Sequence, residues 1–437
     1  MDTTTNVSRY GERRLALQQR MKRGVAIVPT APARLRNRDS DYLYRFDSYS
    51  YYLTGFAEPD AVLVLLAGEE AKAILFCRDR NPERELWEGA RLGPEGAKAA
   101  FGFDEAYPIQ TLEEHMPKLL ADQPALYYAP GADPGWDARI MSWLNQVRSQ
   151  ARAGISAPAE IRDVRVDLDD MRSVKDEGEI AVMRRAAAIP AAAHERAMRA
   201  TRPGRGEYEI EAELLYEFRR RGAQYPAYWP IVAGGANACV LHYRDNNGRL
   251  ADGELLLIDA GCELDGYASD LTRTFPVSGK FSGPQRDVYE LVLAAQAAAI
   301  AAVAPGKRWN DPHDAAVKTL ATGFIDLGLC RGTPEKVIET EDYKRFYMHR
   351  TGHWLGLDVH DAGDYKSAGE WRALEPGMTM TVEPGCYIRP ADDVPDAFWN
   401  IGVRIEDDVV VTPSGCEVLT AAAPKSVADI EALVGRG

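Results

Sequence analysis

Residues 255–275 read LLLIDAGCELDGYASDLTRTF. An unbroken apolar run, Leu255-Leu256-Leu257-Ile258, ends on Asp259, and a β-rich run, Tyr267-Ala268-Ser269-Asp270-Leu271-Thr272, follows the polar stretch Glu263-Leu264-Asp265-Gly266. Two such runs around a Gly-containing turn predict a hairpin. With the turn centred between Leu264 and Asp265, Asp259 stands directly opposite Asp270, on one face and with Cβ atoms about 4.5–5.5 Å apart. An ionised carboxylate within an apolar strand is costly unless something pairs with it. Two carboxylates at that spacing suit a pair of cations roughly 3.5–4 Å apart, with one carboxylate bridging.

The pattern recurs downstream. Glu383 ends Met378-Thr379-Met380-Thr381-Val382, and Glu406 follows Val403-Arg404-Ile405. Their midpoint falls in the polar loop Ala391-Asp392-Asp393-Val394-Pro395-Asp396, so a second hairpin delivers two more carboxylates and the design is internally two-fold. His353 lies in His349-Arg350-Thr351-Gly352-His353-Trp354-Leu355-Gly356, with His360 seven residues on. Arg350-Thr351-Gly352 argues against the helical H-E-x-x-H zinc motif, and an extended segment puts His349 and His353 on the same face. Four of the seven histidines (His242, His349, His353 and His360) flank the acidic strands; His115, His194 and His313 do not, and read as surface or helix residues. Hard oxygen donors with one imidazole suit manganese, cobalt or zinc. Asp259, Asp270, His353, Glu383 and Glu406 are therefore read as one ligand set for two divalent ions. The sequence has no G-x-x-x-x-G-K-[ST], no G-x-S-x-G and no G-x-G-x-x-G after a strand, and so no sign of nucleotide or serine-hydrolase chemistry.

A chain of 437 residues is long for one core, which predicts two domains. With 52 basic against 66 acidic residues the net charge is −14, which excludes nonspecific nucleic-acid binding. Six scattered cysteines without a C-x-x-C pair read as free thiols in a reducing compartment. Met1 to Arg14 is too polar for a signal peptide, and the longest apolar stretch, Ala294 to Ala304, is too short to span a membrane. A cytoplasmic protein without membrane association is expected.

Up to about residue 170, apolar runs (Gly24–Val28, Ala61–Leu66, Ala73–Phe76) alternate with helical patterns. One of these is Pro134 to Gly154, with Ile140, Trp143, Leu144 and Val147 at helical spacing. This predicts an α/β domain over 1–172. The segment Arg36 to Tyr52 reads as a partly aromatic surface, and 155–172 as a linker and edge strand. A helix is expected to open at Ser173, capped by its hydroxyl, with further helices over Tyr208–Arg221 and from Pro284 to Val303. Residues 173–437 then form an α+β domain carrying the five ligands.

Several motifs together resemble the pita-bread metallopeptidases, and among them the aminopeptidase P (Xaa-Pro aminopeptidase) family. They are 256–262, 270–276, His349 through Asp361, Thr381-Val382-Glu383-Pro384-Gly385 and Gly402-Val403-Arg404-Ile405-Glu406-Asp407, with support from Asp39 to Phe56 and Arg172-Ser173-Val174-Lys175. The resemblance covers nearly the whole chain. It implies a creatinase-like N-terminal α/β domain and a C-terminal pita-bread domain with a strongly curved antiparallel sheet around two metal ions, usually manganese. Asp259 and Asp270 would chelate one ion, His353 and Glu383 the other, and Asp270 and Glu406 would bridge both. His242 and His360 match histidines that orient substrate and stabilise the transition state, and Glu383 matches the proton shuttle. His349, Arg404 and, more weakly, Tyr387 match residues shaping the site for a penultimate proline. Asp39 and Trp87 match positions through which a neighbouring subunit closes the site, implying a homo-oligomer (dimer or tetramer).

The implied reaction is release of the first residue from peptides with proline second, by attack of a metal-bridging hydroxide on the Xaa-Pro bond. A prolidase restricted to Xaa-Pro dipeptides shares both domains and all five ligands, but 349–357 looks more like aminopeptidase P. A noncatalytic pita-bread binding protein would typically have lost ligands, and none is missing here.

Overall fold

A computed structural model describes residues 3–436, with side chains from residue 8. The chain divides into two compact units, Met1–Met171 and Arg172–Gly437.

The first unit is built on a six-stranded mixed sheet in the order Glu105–Pro108, Lys72–Cys77, Val62–Ala67, Gly24–Pro29, Ala125–Tyr128, Glu160–Asp163. The three apolar runs singled out above form adjacent antiparallel strands. Helix Pro134–Arg148 buries Ile140, Trp143, Leu144 and Val147 against this sheet's core. Arg36 to Tyr52 resolves into an exposed hairpin, Leu35–Asn37 with Ser40–Asp41, and a short helix, Ser48–Thr54, capped by Asp47. Asp39 lies in the tip of that hairpin, and Trp87, on helix Pro82–Glu88, is 89% exposed.

One expected helix start is displaced. Ser173 ends a helix, Arg165–Ser173, and the cap of the long helix Glu177–Ala200 is Asp176. Asp176 accepts from the Glu179 N–H (2.8 Å) while the Glu179 carboxylate accepts from the Asp176 N–H (2.9 Å). This reciprocal pair satisfies two end donors at once, and the Ser173 hydroxyl instead accepts from Arg372.

In the second unit, helices Glu177–Ala200, Glu207–Arg220, Gly283–Ala301 and Asp311–Asp326 contribute to one large apolar core with the strands that carry the acidic residues. All strand pairings here are antiparallel. The first carboxylate hairpin forms, but its register differs from the expected one by two residues. Leu255–Asp259 pairs with Thr272–Pro276, so Asp259 faces Thr272, with Asp270 diagonal to it. The cause is the turn: Asp265 and Gly266 both have positive φ (51° and 84°) and form a two-residue connection between Leu264 and Tyr267. A shift of two keeps every side chain on its face. The ladder also divides between two sheets, one shared with Ile231–Gly234 and one with Tyr225–Pro226. At the division a Cβ on Gly261 would lie 1.7 Å from the Ser269 carbonyl oxygen. Only glycine lets the two chains come that close, next to Asp270.

The second hairpin keeps the expected midpoint. Thr379–Val382 pairs with Asp407–Thr412, and Gly385–Ile388 with Ile401–Arg404, in one continuous register. It too changes sheets at its carboxylates, Glu383 and Glu406.

Candidate metal centre

Asp259 leaves the end of its strand with Oδ1 accepting from the Tyr228 hydroxyl (2.5 Å) and Oδ2 from Arg404 Nη2 (2.7 Å). Asp270, 6% exposed, also accepts from Tyr228, and its N–H donates to Asp408 Oδ2 (3.0 Å). Thr272, across from Asp259, donates its hydroxyl to Glu406 Oε2 (2.6 Å), and its carbonyl accepts from the Glu406 N–H (3.1 Å). The two hairpins are thus stitched together at their acidic ends. Behind them Arg273, fully buried, donates to Asp407 Oδ1 (2.8 Å) and to the Glu406 carbonyl (2.6 Å).

His353 enters from an extended, non-repetitive segment beside Thr379–Val382. Its N–H donates to Thr381 Oγ1 and its carbonyl accepts from the Thr381 N–H. A Cβ on Gly352 would lie 2.1 Å from the Thr381 carbonyl oxygen, so glycine permits this approach. Nδ1 of His353 lies 2.9 Å from the Trp354 carbonyl, which fixes the proton there. Nε2 faces the carboxylates, 3.4 Å from Asp270 and 3.8 Å from Glu383. That is the arrangement in which a ligating imidazole is oriented by a backbone acceptor.

Asp270, His353 and Glu406 each offer a donor atom within 4.8 Å of the other two. Asp259 and Glu383 flank this trio, through Tyr228 and His353 respectively. Burial raises Asp270 and takes Glu406 well above the ordinary carboxylate range, with neighbouring carboxylates adding to both. Burial also pushes Glu383 up to about 7. Burial works against the charge on His353, yet contact with Asp270 and the field of Glu383 raise it to about 9. Buried carboxylates raised in this way, crowded by one another, call for positive charge. Hard oxygens and one free imidazole nitrogen fit divalent cations.

A cavity of about 750 Å³ opens on this cluster, lined within the second unit by Asp259, Glu383, His353, His242, His349, His360 and Arg404. His360 lies with its ring 4.2 Å from that of His353. Tyr387, buried, joins His349 Nε2 (2.8 Å) to Arg404 Nη1 (3.0 Å). Burial, helped by Arg404, holds His349 down at about 3 and therefore neutral. Asp39 and Trp87 belong to the first unit and are not part of this lining.

Sequence reading missed several contributors. Tyr228 comes from the irregular stretch 227–230, where no periodicity marks it. Trp309, Tyr365, Lys366 and Trp371 complete the cavity wall from loops and a two-residue-strand hairpin. Asp408 had a signal, being the third of three consecutive acids, Glu406 to Asp408, at the head of a buried strand. His313 and His194 sit on helices, and His194 is fully buried. Among the described residues all six cysteines are free, five of them buried, and no helix is long and apolar enough to cross a membrane.

Comparison with known proteins gives the same reading. Residues 181–413 match Metallopeptidase family M24, and residues 10–127 match the Aminopeptidase P, N-terminal domain. The chain is 48% identical over 400 residues to a Xaa-Pro aminopeptidase of Haemophilus influenzae, covering 91% of this chain and 90% of that protein. It is 42% identical over 428 residues to the Escherichia coli Xaa-Pro aminopeptidase, covering 97% of each. The solved structure of Pseudomonas aeruginosa aminopeptidase PepP superposes with a TM-score of 0.96 at 53% identity, over 98% of this chain and 97% of that one. The chain, with its N-terminal α/β domain and C-terminal pita-bread domain, belongs to metallopeptidase family M24, among the Xaa-Pro aminopeptidases.

Proposed function

We propose that this chain releases the first residue from peptides whose second residue is proline, using two divalent ions, with manganese as the native metal. Asp259, Asp270, His353, Glu383 and Glu406 would hold the pair, Asp270 and Glu406 bridging. The observation that carries the reading is the convergence of Asp270, His353 and Glu406 at one end of a cavity that also holds His242, His349, His360 and Arg404. When bound, such ions supply a hydroxide nucleophile near neutral pH and polarise the scissile carbonyl.

The remaining work falls to side chains. Glu383 takes up a proton and returns it to the leaving proline nitrogen, its carboxylate standing beside His353 in the cavity wall. His242 and His360 orient the substrate, and a ring N–H donates to the oxyanion as it develops. The Xaa-Pro amide is tertiary and offers no N–H, so proline must be recognised by shape, and His349 and Arg404, tied together from behind by Tyr387, form one preorganised wall for it. The substrate's free ammonium is drawn to the acidic end of the cavity, which makes the enzyme an exopeptidase. Asp39 and Trp87 close the site of a neighbouring copy in a dimer or tetramer, and the cytoplasm is the compartment that suits six free thiols.

The test is hydrolysis of Xaa-Pro dipeptides, tripeptides and longer peptides with manganese and with a chelator. Metal-dependent loss of the first residue from tripeptides and longer peptides is expected. Cleavage of dipeptides alone would make the enzyme a prolidase, and metal-independent cleavage or none would refute the proposal.

A further inference from the structure

Arg172-Ser173-Val174-Lys175 lies outside the cavity, yet three of its four residues anchor cavity-bearing segments. Arg172 donates to Asp361 Oδ1 (2.6 Å) and Asp358 Oδ2 (2.7 Å), and Lys175 Nζ to Asp361 Oδ2 (2.9 Å). The side chains of Arg172, Lys175 and Asp361 are all 2% exposed or less. Ser173 accepts from Arg372, beside the hairpin that carries Lys366 and Trp371. The Lys175 N–H donates to the Gly377 carbonyl (2.9 Å), just ahead of the strand leading to Glu383.

Burying two cations and a carboxylate is expensive, and apolar residues would pack there at no loss of stability. What such a cluster supplies is a defined conformation. Here that conformation is the loop 353–361, with His353 at one end and His360 next to Asp361 at the other. The Asp361 N–H donates to the Trp354 carbonyl (3.0 Å), the same oxygen that fixes Nδ1 of His353. Gly356 passes so close to the clamp that a Cβ would lie 2.2 Å from Asp361 Oδ2. With the Asp361 carboxylate locked inward, the adjacent His360 ring is turned toward His353 and the cavity.

We propose that Arg172, Lys175 and Asp361 form an ionic clamp of positioning residues, whose task is to hold the 353–361 loop so that His360 meets the substrate during turnover. The proposal rests on the functional reading above, in which His360 acts on the substrate.

The test compares Lys175→Met and Lys175→Arg, each made in the parent chain and in His360→Ala. Lys175→Met should lower kcat about 10- to 100-fold, the range for outer-layer partners, with KM nearly unchanged and activity largely rescued in Lys175→Arg. In the His360→Ala background the same change should cost less than about threefold, since residues acting through one group are not additive. Hydrogen exchange of the metal-free protein gives a readout independent of turnover: residues 353–361 should exchange faster in Lys175→Met, with the Gly283–Ala301 helix unchanged. Equal losses in both backgrounds, unaltered activity, unaltered exchange over 353–361, or general unfolding of both Lys175 variants would each overturn the clamp. An inactive parent would overturn the functional reading and the clamp with it, whereas an active parent with additive losses would overturn the clamp alone.

Discussion

In the first carboxylate hairpin, Asp259 accepts from Tyr228 and Arg404, and Asp270 from Tyr228 while facing His353. In the second, among the described residues, Glu406 accepts from the Thr272 hydroxyl and Glu383 lies 3.4 Å from that of Thr381, with no guanidinium or phenol on either. The two hairpins share a strand pairing that breaks at the acidic residues, but they differ in how their charge is answered. Burial takes Glu383 to about 7 and Glu406 well above the carboxylate range. Asp259 is held by two protein donors, whereas burial raises Asp270 as well as both residues of the second pair, and these three depend on cations for their ionised form.

If the bridging roles are symmetric, one carboxylate from each hairpin should matter equally. Asp270→Asn and Glu406→Gln should each lower kcat/KM about 10³-fold or more, roughly 4 kcal/mol of transition-state stabilisation. Steady-state kinetics with saturating manganese checks this, and a near-normal rate in either variant would remove that residue from the bridge.

The stitch between the hairpins can be cut without touching a ligand. Arg273→Met leaves Asp407, buried and held low by Arg273 and Lys425, with only part of its compensation. Breaking a buried pair typically costs about 3–5 kcal/mol, and because Lys425 remains, about 3 kcal/mol is expected in denaturant melts. A loss below about 1 kcal/mol, the scale of a surface ion pair, would mean the Arg273–Asp407 pair adds little to the Thr272–Glu406 bonds that join the hairpins.

The cation dependence of the second hairpin has a pH signature. Glu383 has a folded pKa above its unfolded value, so its contribution to stability is complete below about pH 4.5 and is lost as pH rises through about 7. The chelated protein should lose about 3 kcal/mol across that window. Added manganese should abolish the slope, and Glu383→Gln should reduce it, leaving the part that the raised carboxyls of Asp270 and Glu406 contribute. A slope unchanged by Glu383→Gln would belong to other groups.

The smallest expected effect is confined to the first hairpin. Tyr228→Phe removes the shared donor of Asp259 and Asp270 and should weaken metal affinity about 10- to 100-fold, the usual range for an outer-layer partner. Calorimetric titration reads it directly, and an unchanged affinity would show that Tyr228 only fills space.

These contrasts mark what the sequence could and could not disclose. Asp259, Asp270, Glu383 and Glu406 stood out because acids ending apolar strands violate the burial rule, and the long helices because their apolar faces repeat. The second register was legible because one continuous pairing register runs from Thr379 to Ile388 against Ile401 to Val410 and closes on the loop midway between the glutamates. The first was misplaced because the local preference of Asp265-Gly266 for positive φ moved the turn centre by one residue, and the pairing therefore by two. Tyr228 and the loop aromatics were illegible, since contacts from irregular segments leave no period. Ser173 looked like a cap, but the reciprocal bonds of Asp176 and Glu179 outcompete a single hydroxyl.

The central claim is that side chains from two hairpins and one extended segment hold a pair of divalent ions. Anomalous diffraction at the manganese edge, from crystals of the manganese-loaded protein, tests it most directly. Two peaks are predicted, both within coordination distance of Asp270 and Glu406, one flanked by Asp259 and the other by His353 and Glu383. No peak, or peaks away from these residues, would contradict the account.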